Sequence, residues 1–120
     1  MSENVIKTKS FNFALRIIKL FQFLNQEKRE FVLSKQLLRS GTSIGALVRE
    51  SEQAESKKDF IHKLAIAQKE ANETDYWLEL LFQSDYLNET QFKSIKSDVI
   101  EINKILASII ITTKQKLTSI

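Results

Sequence analysis

Arg39-Ser40-Gly41-Thr42-Ser43-Ile44-Gly45-Ala46 contains both glycines of the 120-residue chain, four positions apart, and the chain has no proline. That spacing places the two glycines on one face of a helix, where missing side chains let a second backbone come close. Glycine inside a helix costs about 1 kcal/mol relative to alanine. The apolar pattern nevertheless runs straight through, from Leu33 and Leu37 to Ile44 and Leu47. The stretch therefore reads as a tight helix–helix contact, and the fold as helices packed on helices.

The pattern continues on both sides. Upstream, Ser10 stands as an N-cap before a helix over 10–25, with Phe13, Ile17, Leu20 and Leu24 on one stripe. Phe11, Leu15, Ile18 and Phe21 form a second stripe beside it. So wide an apolar face exceeds what one bundle buries and points to a second subunit. Residues 25–29 read as a turn, followed by a second helix over 30–52. Ser56 and Asp59 signal the start of a third helix over 57–84. Its heptad Phe60, Leu64, Ala67, Ala71, Thr74, Leu78 and Leu81 predicts nearly antiparallel packing, with Ala67 and Ala71 opposite the glycine pair. Asn88 and Gln91 open a fourth helix over 88–118, striped by Phe92, Ile95, Val99, Ile102, Leu106 and Ile109. The expected fold is all-α: a single antiparallel, up-down-up-down four-helix bundle spanning 1–120.

Composition narrows the function classes. With no cysteine, disulfides, thiolate metal sites and cysteine nucleophiles are excluded, and a cytoplasmic location fits. The first residues lack the apolar core of a signal peptide, and no apolar run approaches a membrane span, so no membrane role is expected. Net charge is +3. Residues 1–30 carry six cations against three acids, whereas residues 56–85 carry four against six. Attraction between these helices as neighbours competes with binding to nucleic acid as the reason for the asymmetry.

Gln36 through Ala46, then Ser56-Lys57-Lys58-Asp59-Phe60-Ile61, then Lys69-Glu70-Ala71-Asn72-Glu73-Thr74-Asp75-Tyr76-Trp77-Leu78 resemble the four-helix-bundle proteins named for intervening sequences in bacterial 23S ribosomal RNA genes. The resemblance extends over nearly the whole chain. Leu47 departs from the pattern, which commonly has asparagine there. The resemblance implies a homopentamer, a relation to RNA and no enzymatic activity. A related branch serves as accessory protein to reverse transcriptases of diversity-generating retroelements. It thus implies either RNA or DNA, or a protein, as partner.

Candidate sites follow from the residues. Lys9, Arg16 and Lys19 share a helical face and, with Lys28, Arg29 and Lys35, form the candidate nucleic-acid surface. Lys96, Lys104, Lys114 and Lys116 offer a weaker one. Arg39 either bonds Glu70 or Glu73 across the helices as a polar network or reaches a phosphate. Tyr76-Trp77 stacks on a base or packs. Glu50, Glu70 and Glu73 invite a carboxylate-bridged metal. Such bundles use paired Glu-x-x-His motifs, however, and the one histidine, His62, follows Asp59 instead, so no metal or cofactor is expected. Gly41 to Gly45 lacks the Gly-Lys-Ser/Thr ending of a phosphate loop, and Ser40, Thr42 and Ser43 have no base nearby; no catalytic residue is assigned.

Overall fold

A computed structural model describes residues 2–118, so both ends of the expected 1–120 span lie outside the described residues. Four helices, α1 (Ser2–Gln26), α2 (Leu33–Ser51), α3 (Lys57–Gln83) and α4 (Glu89–Thr118), pack into an all-α bundle 54 Å long and about 20 Å across. They follow one another around it: α1 touches α2 and α4, and α3 touches α2 and α4. Basic α1 and acidic α3 are thus diagonal, not neighbours, and their opposite charges do not bring them together.

One stripe per helix fills the interior. Phe13, Ile17 and Leu24 of α1 meet Leu37 and Ile44 of α2, Leu64, Leu78 and Leu81 of α3, and Val99, Ile102 and Leu106 of α4. Between them lies one satisfied polar bond, from the Thr74 hydroxyl to Ser40 Oγ at 2.9 Å. Ser56 caps α3 through the Asp59 N–H, and Asn88 and Gln91 exchange backbone-to-side-chain bonds at the start of α4.

Two helix starts differ from the sequence expectation. α1 begins eight residues before Ser10, because Ile6 lies seven positions ahead of Phe13 and extends the same buried stripe. Ser10 is a buried interior residue whose hydroxyl donates to the Lys7 carbonyl. α2 begins at Leu33, not Glu30. Val32, just before it, has no side-chain acceptor, and Glu30 supplies one: its buried carboxylate accepts from the N–H groups of Val32 (3.2 Å), Leu33 (3.0 Å) and Ser34 (2.7 Å). Between α1 and this cap, Arg29 takes a left-handed φ of 54°, a conformation that favours glycine.

The glycines face α1, not Ala67 and Ala71 of α3. A Cβ on Gly41 would lie 2.8 Å from Ile17 Cγ1, and one on Gly45 would lie 3.3 Å from the Ser10 carbonyl oxygen. Ser40, one residue before Gly41, is the residue turned to α3. A helix advances about 100° per residue, so the glycine face and the α3 face cannot coincide. Ala67 and Ala71 are fully buried in the core.

Candidate interaction surfaces

The close approach at Gly41 and Gly45 fixes which side of α1 stays outside. Its inner stripe is consumed by the core, while Phe11 (47% exposed), Leu15 (45%) and Ile18 (38%) remain largely open. Beside α2 they border a groove of about 270 Å³ shared with Thr42, Gly45, Ala46 and Arg49. The Arg49 guanidinium stands over the Phe11 ring, 5.2 Å from its centre. This cation–aromatic contact had no signal in the sequence, because it joins residues on two helices 38 positions apart.

The opposite flank of α1 is polar and faces α4. Lys9 pairs with Glu101 at 2.8 Å. The Arg16 guanidinium bonds Asp98 at 2.6 Å and Ser94 Oγ at 2.8 Å. Two of the three cations assigned to one nucleic-acid face are therefore bound to acids of their own chain, and only Lys19 meets no acidic group among the described residues. The periodicity of α1 showed that the three share a face; it could not show that Asp98 and Glu101 would stand opposite. These pairs are a third or more exposed, which limits their worth. Arg16→Ala and Lys9→Ala are each expected to lower stability by less than about 1 kcal/mol, read from the urea midpoint.

The other basic residues fall at the turn between α1 and α2. Lys28 stands over the Phe23 ring at 6.0 Å and Arg29 over Phe31 at 5.6 Å. Lys35 is exposed on the first turn of α2. None of the three has an acidic partner among the described residues. Lys96 is tied to Asp75 of α3 at 2.8 Å.

The expected network of Arg39 with Glu70 and Glu73 is not formed. Arg39 is exposed and makes no side-chain ion pair among the described residues. Glu73 instead accepts from the Trp77 indole N–H at 3.4 Å. The direction of Ser40 explains this: with Ser40 inserted toward Thr74, its neighbour Arg39 is carried to the outer flank of α2. Lys63 reaches across to Glu50 of α2 at 3.5 Å. Asp59 accepts from the Glu55 N–H. Trp77 is half-buried and meets Tyr76 edge-on, ring centres 5.1 Å apart.

No helix among the described residues is long and apolar enough to cross a membrane. The fold and these surfaces define an all-α four-helix bundle. The chain belongs to the 23S rRNA-intervening sequence protein family, whose model matches residues 2–108. It is also similar to the crystal structure of a protein with unknown function from the S23 ribosomal protein family of Bacteroides thetaiotaomicron. The identity is 61% over 92% of this chain and 98% of that one, with a TM-score of 0.91. No curated protein matches the chain.

Proposed function

We propose that the protein is a non-enzymatic, cytoplasmic bundle that assembles with further copies of itself and serves as an interaction module. The carrying observation is the open row of Phe11, Leu15 and Ile18, continuous with the groove against Thr42, Gly45 and Ala46. Monomeric proteins rarely leave a contiguous apolar patch of this kind bare, and a second copy of the chain covers it. Five copies is the number favoured by the family resemblance. Light scattering at micromolar concentration is expected to report an assembly, with a pentamer as the leading size. Leu15→Glu together with Ile18→Glu places two charges in the contact and is expected to give monomers of unchanged helicity. A wild-type monomer of 13.9 kDa at high concentration overturns the reading.

Nucleic-acid binding is the second reading, and it rests on Lys19, Lys28, Arg29 and Lys35, which lack acidic partners among the described residues. An assembly repeats these cations and multiplies weak phosphate contacts by avidity. Binding to RNA or duplex DNA is then expected to fall steeply with salt, as counterion release requires. Lys28→Glu with Lys35→Glu removes it, while Lys9→Ala leaves it unchanged. No binding at low salt rejects this reading without touching the first.

A further inference from the structure

The boundary between α1 and α4 is laddered by charge, and the ladder stops short. Running toward the α1–α2 turn, Lys9 meets Glu101 and Arg16 meets Asp98. At the next step the α4 residues are Thr90, Gln91 and Ser94, all neutral, and Lys19 stands without an acid. Here the helices part into a cleft of about 560 Å³. Leu20, Phe23 and Ile95 line it, and Lys28 overhangs the Phe23 ring at its end. The cleft therefore combines an apolar floor with the unmatched charge of Lys19, with Lys28 beside it over Phe23, and its volume falls within the range of ligand sites.

We propose that this cleft docks an acidic, amphipathic segment of a protein partner. Carboxylates of that segment complete the ladder on Lys19 and Lys28, and its apolar side chains cover Leu20 and Phe23. The apolar floor favours a peptide over nucleic acid, whose phosphates would match the cations but leave Phe23 and Leu20 facing ribose. The site lies on the flank of α1 opposite Phe11 and Leu15, so it goes beyond self-association and does not depend on it.

The test is fluorescence anisotropy with a labelled helical peptide carrying leucine and phenylalanine on one face and glutamate on the other. A copy with lysine for glutamate and a labelled single-stranded RNA serve as comparisons. The acidic peptide is expected to bind and the lysine peptide not to. Lys19→Glu is expected to weaken binding at least about tenfold by placing like charges in contact. Thr90→Trp fills the cleft without changing charge and is expected to weaken it similarly. Lys19 and Thr90 are both exposed, so helicity and particle size, followed by circular dichroism and light scattering, should match the unmodified protein. Absence of acidic-peptide binding, equal binding of the lysine peptide, or binding insensitive to both variants overturns the proposal. So does RNA binding abolished by Thr90→Trp while the acidic peptide fails to bind. Loss of assembly in either variant would place this flank in a contact between copies and likewise overturns the proposal.

Discussion

Gly41→Leu is expected to destabilise the bundle by about 3 kcal/mol, far more than a substitution at Gly45 that adds one carbon. The first added carbon already lies 2.8 Å from Ile17 Cγ1 and 2.9 Å from Cγ2. Those atoms branch directly from the Ile17 Cβ in a fully buried position, so they cannot swing aside as the tip of a long side chain would. Even Gly41→Ala is expected to lose about 1 kcal/mol, the overpacking exceeding alanine's helical advantage. Gly45→Ala should fall within about 0.5 kcal/mol of neutral, since its Cβ meets the Ser10 carbonyl at 3.3 Å and the helical gain offsets a small shift. Urea unfolding of the three variants checks this order. In an Ile17→Ala background, which removes Cγ1 and Cγ2, Gly41→Ala should cost less than it does in the unmodified protein. Equal effects at the two glycines would show that the helices separate as rigid rods.

Glu30→Ala is expected to cost about 2 to 3 kcal/mol, because three N–H groups at the start of α2 lose their acceptor together. Glu30→Gln keeps an acceptor oxygen without the charge and is expected to lose about 1 kcal/mol. The pH dependence separates charge from geometry. Burial pushes the Glu30 carboxyl up, but the N–H groups of Leu33, Ser34 and Val32 together outweigh it and hold the group below the usual carboxylate range. A depressed folded value means that the ionised group stabilises the fold above its unfolded pKa. That stability is lost as pH falls through the folded value. Thermal midpoints of wild type and Glu30→Gln should therefore lie apart at neutral pH and converge in acid. A constant gap would assign the effect to shape alone.

The helices were legible because each carries one long stripe at helical spacing, and in α3 that stripe became the buried face residue for residue from Leu64 to Leu81. The starts of α1 and α2 were less so. Ser10 offered an acceptable cap, while the buried Ile6, with only Val5 beside it, stood in a polar stretch. A start at Glu30 missed that its carboxylate bonds the backbone ahead of it. The candidate sites were legible only as faces. Periodicity grouped Lys9 with Arg16 and Arg39 with the small-residue contact. Which helix stands opposite is a property of azimuth around the bundle, and a rotation of one residue decided it at Ser40 and Gly41. The exposed row of Phe11, Leu15 and Ile18 was anticipated for a simple reason: α1 has more apolar residues than one interior face can hold.

The circular order of the helices bears on how the chain reaches this state. Every helix contact except that of α1 with α4 joins elements adjacent in sequence, so most of the interior assembles through short loop closures. The α1–α4 boundary must wait for the two ends of the chain to meet. It also carries the exposed Lys9–Glu101 and Arg16–Asp98 pairs, whose modest contribution salt screens. A segment seated across Phe23 and Ile95 would grip the first and last helices at once. It would act as a clasp on the bundle, coupling occupancy of the cleft to the lifetime of the closed chain.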